Sequence, residues 1–211
     1  ECMYGKHPIR NRIAGTAETV AEITEKTLQK AYACYYTTDE MALVCAGDIP
    51  LGEVRRMAER VARRETAARV YFPTEDAEIA EKYRACEMRL SVPQFQIGCK
   101  LPPLPKQDWL KKRMAAGFCM ELLAGESSVF FQKAYEWDWL DEALGSAFFC
   151  GEGYAFAAFS GSGTHPEETA DFLGRELERL QREGFSQEDF QRIRKKHLGQ
   201  LLRQLDTPQK L

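Results

Sequence analysis

Two apolar runs, 143–150 and 153–161, meet at Gly151-Glu152-Gly153. Glycines around a polar residue supply the tight turn of a β-hairpin, so the runs are expected to be antiparallel neighbours. That pairing limits what the flanking segments can do. Upstream, Met88, Leu90 and Val92 alternate, and after Pro93 so do Phe95, Ile97, Cys99 and Leu101. This predicts two strand segments, or one strand bent at the proline. Pro102-Pro103-Leu104-Pro105 is a rigid connection. A helix is expected over 106–123, with Leu110, Met114, Phe118 and Leu122 at helical spacing and Gly125 at its end. Ser127-Ser128 caps a shorter helix running to Trp137. Two more helices are expected over 165–182 and 187–205, with Gly184 between them and Ser186 capping the second. Strand pairs followed by helix pairs, without strict βαβ alternation, predict an α+β layer: an antiparallel sheet backed by helices.

The N-terminal third repeats the theme. Residues 17–36 are expected to be helical, with Val20, Ile23, Leu28 and Ala31 inward. The run from Met41 to Ala46, ended by Gly47-Asp48, reads as a buried strand over 41–47. Residues 51–64 read as a helix with Val54, Met57 and Val61 inward. Its outward Arg55, Arg56, Arg60, Arg63 and Arg64 are interleaved with Glu53, Glu59 and Glu65, the pattern of a solvated, partly paired face. From 65 to 82 the apolar period is lost around Pro73, which marks a linker.

A chain of 211 residues is one to two domains. With 29 Lys+Arg against 32 Asp+Glu, it lacks the basic excess that a general nucleic-acid binder needs. No apolar run approaches the ~20 residues of a membrane span. The sequence opens Glu1-Cys2-Met3 without an initiator Met and is expected to be a piece of a longer protein. Seven cysteines, at 2, 34, 45, 86, 99, 119 and 150, form no CxxC. They read as reduced, buried thiols of a cytoplasmic protein.

The chemistry-bearing motifs are incomplete. His165-Pro166-Glu167-Glu168-Thr169 has the first half of an HxxEH zinc motif, but Thr169 replaces the second histidine. The segment reads instead as a helix start, with Thr164 as cap and Glu167 three residues on. His197 lies in the apolar row Phe190, Ile193, His197, Leu201, Leu205, as a packed helix residue. Ser160-Gly161-Ser162-Gly163-Thr164 sits where a phosphate loop would. However, Pro166 takes the third glycine's place, and Glu167 and Glu168 would repel phosphate. The paired carboxylates, Glu167/Glu168, Asp141/Glu142 and Glu75/Asp76, are not isolated in apolar settings. No catalytic constellation is present.

Two longer stretches carry a resemblance. One is Tyr4-Gly5-Lys6-His7-Pro8-Ile9, then Ile13-Ala14-Gly15-Thr16-Ala17-Glu18, then Tyr35-Tyr36-Thr37-Thr38-Asp39-Glu40-Met41-Ala42-Leu43 and Ala46-Gly47-Asp48. The other is Leu122-Leu123-Ala124-Gly125-Glu126-Ser127-Ser128-Val129-Phe130-Phe131, with Phe190-Gln191-Arg192-Ile193 near the end. Their order and spacing resemble the M16 zinc metallopeptidases, most of all the paired bacterial M16-like proteins.

The resemblance implies an α+β fold of the LuxS/MPP-like metallohydrolase type, an antiparallel sheet flanked by helices. It implies that 1–66 is the C-terminal tail of a first repeat (helix-strand-helix), 67–82 a linker, and 83–211 a second repeat truncated at its C-terminus. The family's zinc ligands precede the region matched by His7-Pro8, so zinc is expected in the parent or a partner and no metal in this chain. An Arg and a Tyr that reach substrate in the family correspond here to Tyr135 and Glu142. A phenol and a carboxylate lack the cation that steadies an oxyanion, so these two residues are expected to contact substrate only. The implied function is a non-catalytic portion of an M16-type endopeptidase, forming one wall of a peptide chamber against the zinc-bearing half, in cis or in a partner subunit. The alternative is an inactive homologue acting as a structural or peptide-binding subunit. Nucleotide binding at Gly161/Gly163 is a weaker third reading. The apolar 41–47 segment is expected to pair within the chain or with a second copy. The purified chain should bind no stoichiometric zinc and cleave no peptide. About one zinc per chain by elemental analysis, with cleavage lost on chelation, would contradict this.

Overall fold

The computed structural model describes residues 1–38, 41–61, 72, 73, 75 and 78–205. Arg63, Arg64, Asp39, Glu40, Asp76 and half of the 67–82 linker lie outside the described residues. The chain divides into two compact units, Glu1–Arg10 with Phe72–Leu198, and Asn11–Tyr71 with Gly199–Leu211.

In the larger unit the hairpin forms as its pattern requires. Strands β2 (Gly145–Gly151) and β3 (Tyr154–Ser162) turn at Glu152-Gly153, where Gly153 takes φ 78°. Strand β1 (Gln94–Leu101) pairs antiparallel with the other side of β3, giving the order β1-β3-β2. Side chains alternate across a strand, and the register decides the rest. Ile97 lies opposite Phe159, and Phe148 opposite Ala157. These residues, with Phe95 and Cys99, join the hydrophobic core.

That face is covered by helices. Helix α4 (Trp109–Ala124) packs on β2, and α5 (Val129–Glu136) and α6 (Pro166–Glu183) pack on α4. Ser128 caps α5, its hydroxyl accepting from Phe131 N–H at 3.0 Å. Phe130 is fully buried and stacks on Phe172 of α6 at 5.3 Å. Helix α7 (Gln187–Leu205) starts at Ser186, whose hydroxyl accepts from Asp189 N–H at 3.0 Å. His197 stacks on Phe118 of α4 at 4.5 Å, a packed helix residue as its row indicates. The stretch Lys106–Glu136 is long and apolar enough to pass for a membrane span by length and composition, contrary to the expectation from apolar runs. It is two helices broken at 125–128, and Met120, Leu123, Phe130 and Ala134 from it build the core.

Several local expectations fail for identifiable reasons. The strand expected at 88–92 does not form: β1 starts only at Gln94, after Pro93. The capping box at Thr164 does not form. His165 is the N-cap, and Thr164 Oγ1 bonds His165 Nδ1 instead, at 2.8 Å. Cys150 is buried, but Cys45, Cys86 and Cys119 are exposed; all seven thiols are free.

In the smaller unit the expected 17–36 helix is two, α1 (Ala17–Ala21) and α2 (Glu25–Tyr35), because Thr24 caps a new start by accepting from Thr27 N–H. Helix α3 (Leu51–Glu59) follows. The buried strand expected at 41–47 does not form: residues 41–46 carry no strand, and Met41, Leu43 and Val44 are exposed. An apolar run becomes a strand only where a neighbouring backbone satisfies its N–H and C=O groups.

The glycine-rich loop after β3 is a packing device. A Cβ at Gly161 would meet Leu144 at 2.5 Å, and one at Gly163 would run into the Trp139 carbonyl. Gly163 N–H already donates to Pro93 O at 3.0 Å. Nearby, Asp138 sits at φ 60°, a conformation that costs an L-residue energy and a glycine little. Urea denaturation should therefore move in opposite directions for two substitutions. Gly163→Ala should lose about 1–3 kcal/mol by overpacking, and Asp138→Gly should gain about 0.5–1 kcal/mol.

Candidate functional site

The alternation that buries one face of the sheet under the larger unit's helices turns the remaining sheet residues to the other face. On it lie Gln94, Gln96 and Gly98 of β1, Ala147 and Phe149 of β2, and Phe156, Ala158 and Ser160 of β3. None of the sheet residues in the hydrophobic core comes from this set. Phe149 stacks on Phe156 at 4.8 Å and remains 44% exposed. The only ionisable group that β1 contributes to this face is Lys100.

Lys100 is neutralised at one end of the face, where the N-terminal segment crosses. Glu75 and Lys100 meet at 3.4 Å, with side chains 9% and 6% exposed. The Glu75 carboxylate also accepts the backbone N–H groups of Gly5 (2.5 Å), Lys6 (3.0 Å) and His7 (2.6 Å). Lys100 donates to Glu78 O at 2.7 Å and lies 4.5 Å from the centre of the Tyr4 ring. Tyr4 in turn donates to Ala155 O (2.9 Å) and accepts from Ala155 N–H (3.2 Å). His7 accepts from Ile9 N–H at Nδ1, so Nε2 donates to Glu152 O at 2.9 Å, on the hairpin turn. Its ring stacks on Phe72 at 5.3 Å. Burial by itself would raise the Glu75 pKa. The three amide donors and the Lys100 ammonium outweigh it and bring the pKa down to about 2. Burial also pushes the Tyr4 phenol up.

A second concavity, about 430 Å³, lies between the end of α6, the start of α7 and the start of α5. Its charges pair with one another: Arg179 with Glu176 (2.8 Å) and Glu183 (2.9 Å), Arg192 with Asp189 (2.8 Å) and with the Ser127 hydroxyl. They join helix ends and leave its arginines already engaged.

The two residues singled out from sequence lie on one surface segment. Tyr135, in the last turn of α5, is exposed and its ring is 5.8 Å from Phe131. Glu142, between α5 and β2, is also exposed. No hydrogen bond or ion pair joins them among the described residues. The three histidines stay apart: His7 in the clamp just described, His165 against Trp139 at 5.9 Å, His197 against Phe118. No three His, Cys, Asp or Glu side chains converge on a metal-sized site among the described residues. The Glu75 clamp was not foreseen, since it falls in the expected linker and its three donors are backbone amides.

The fold, an antiparallel sheet packed against helices, is shared with solved M16-like peptidases. The structure superposes on that of a putative M16-like peptidase from Alicyclobacillus acidocaldarius with a TM-score of 0.87 and 26% identity, over 99% of this chain and 51% of the other. A protease from Helicobacter pylori shares the fold, with a TM-score of 0.74 and 15% identity, over 93% of this chain and 49% of the other. Residues 22–196 match the family described as the peptidase M16 inactive domain, and the chain belongs to the M16 family. It is 27% identical to the "uncharacterized zinc protease YmfH" of Bacillus subtilis strain 168, over 99% of this chain and 50% of the relative. The chain thus spans about half the length of the relatives it matches.

The depressed pKa of Glu75 fixes a pH dependence. Folding lowers the pKa from 4.5 to about 2, so the stabilisation is full above pH 4.5 and is lost as pH falls through about 2. The shift is worth about 3 kcal/mol. Glu75→Gln should lose roughly that much at neutral pH and flatten the acid limb of stability against pH, followed by urea denaturation. An unchanged acid limb would show that Glu75 does not anchor the segment.

Proposed function

We propose that this chain is the non-catalytic region of an M16-type zinc endopeptidase, forming one wall of the peptide chamber and facing the zinc-bearing half. The observation that carries the reading is the open face of the sheet. It is aromatic and amide-rich, and its one lysine is neutralised by Glu75. An extended peptide meets the Lys100 charge there only as a pair with Glu75 and finds an exposed ring at Phe149. The name of the Bacillus relative, a zinc protease about twice as long as the match, supports zinc in the remainder of the parent. Zinc held by that remainder would supply the hydrolytic chemistry; this chain's part is to hold the peptide and exclude water. The exposed apolar side chains of the smaller unit, among them Val20, Ile23, Leu28 and Tyr32, suit contact with the rest of the parent or a partner M16 subunit.

The reading predicts that Phe149→Arg in the complete protein raises KM for peptide cleavage roughly fivefold or more and leaves zinc content unchanged. An unchanged KM rejects the wall. Absence of zinc and of cleavage from the complete protein selects the alternative, an inactive homologue that binds or assembles.

A further inference from the structure

The histidine of the clamp has both ring nitrogens committed, and this fixes which form of the ring the fold accepts. The Glu152 carbonyl only accepts, so Nε2 carries the hydrogen in the 2.9 Å bond to it. Ile9 N–H only donates, so Nδ1 is the bare nitrogen, at 3.1 Å. The ring is 1% exposed. Phe72 stacks on it, and Tyr154 meets it edge-on at 5.2 Å. It is also seated on the hairpin turn, where a Cβ at Gly153 would lie 3.2 Å from Cδ2 and Nε2. A further proton has only Nδ1 to go to. There it would set one N–H against another and leave a desolvated charge.

The surrounding charges do little to offset that cost. Glu75 accepts the His7 main-chain N–H at 2.6 Å, but three amides and Lys100 already meet its charge. The Glu152 side chain pairs with Lys106 at 3.2 Å. Lys6 and Arg10 on the same segment, and Lys100 on β1, are cations and oppose a second positive charge. Tyr4 and Tyr154, the remaining titratable neighbours, are phenols.

The ring holds down a strap, the segment Glu1–Arg10. A Cβ at Gly98 would meet the Met3 sulfur at 2.8 Å, and the Tyr4 ring lies against Lys100. We propose that His7 is a proton-operated latch: a proton on Nδ1 frees the strap from the hairpin turn and uncovers the Gly98–Lys100 end of the sheet. The latch does not depend on a peptide lying on that face. Its sign follows from linkage. The closed strap holds the neutral ring and the open strap takes either form, so opening rises as pH falls. Imidazole is the side chain whose charge changes between about pH 5 and 8. Glu75, with its pKa at about 2, stays ionised there and cannot produce the effect.

The test follows amide hydrogen exchange of residues 1–10 in the 211-residue chain at about pH 7.5 and 5.5, each corrected for its intrinsic rate. Protection should fall on the order of tenfold or more, since a proton bound only by the open strap is worth up to about tenfold per pH unit. His7→Gln should keep its protection at both pH values, because a carboxamide accepts from Ile9 N–H and donates to Glu152 O without titrating. Ring nitrogen chemical shifts give a second readout that needs no variant, and they decide if His7→Gln does not seat the strap. They should report the Nε2–H form at the higher pH, and a charged ring only in molecules that have lost protection. Unchanged wild-type protection, an equal fall in His7→Gln, or a charged ring in a protected strap each overturns the proposal. The wall reading is judged separately, by Phe149→Arg.

Discussion

The alternation of side chains along β3 decides both what the larger unit can bury and what it leaves open. Ala155, Ala157 and Phe159 point one way, toward Phe148 of β2 and Ile97 of β1, and the helices seal that face. Phe156, Ala158 and Ser160 necessarily point the other way. A shift of one residue in either strand pairing would exchange the two sets and bring Ser160 and Gln96 into the core. The register is held because Phe159 has its place beside Phe130, Phe172 and Leu144, and because Gly161 leaves room for Leu144. The candidate site is thus a consequence of core packing on the far side of the same strands.

The Glu75 clamp solves a different problem. A segment from the start of the chain must stay against a sheet to which it contributes no strand. Groups from four separate parts of the sequence meet there: the Tyr4 hydroxyl and the Gly5–His7 amides, the Glu75 carboxylate, the Lys100 ammonium and the Ala155 peptide. Burying a carboxylate and an ammonium is costly. Here three amides and a backbone carbonyl complete their hydrogen bonding, so the desolvated charges are not left unmatched. The same pairing neutralises the lysine charge that β1 contributes to the open face.

What was legible in the sequence follows the range of the forces involved. The 145–162 hairpin, the Ser128 and Ser186 caps and the long α7 depend on neighbours a few residues away, and their periods and turn residues announce them. The 41–47 run carries the apolarity of a strand, but a strand needs a second backbone, which sequence period cannot supply. Asp138 in a left-handed turn gives no signal, because nothing local distinguishes it from any surface aspartate. The Glu75 clamp joins residues about seventy positions apart through backbone amides, which have no sequence signature. Tyr135 and Glu142 came from family register and lie on one surface segment, while the aromatic core of that segment, Trp137 and Trp139, depends on α6 packing beneath it.

Photo-cross-linking from the open face tests the central claim most directly. A benzoylphenylalanine replacing Phe149 in the complete protein, with a second variant carrying it at exposed Leu110 on α4, would report which surface a peptide visits. The wall reading predicts a cross-link from position 149, suppressed by excess unlabelled peptide, and none from position 110. Equal cross-linking from both positions, or none from 149, would contradict it.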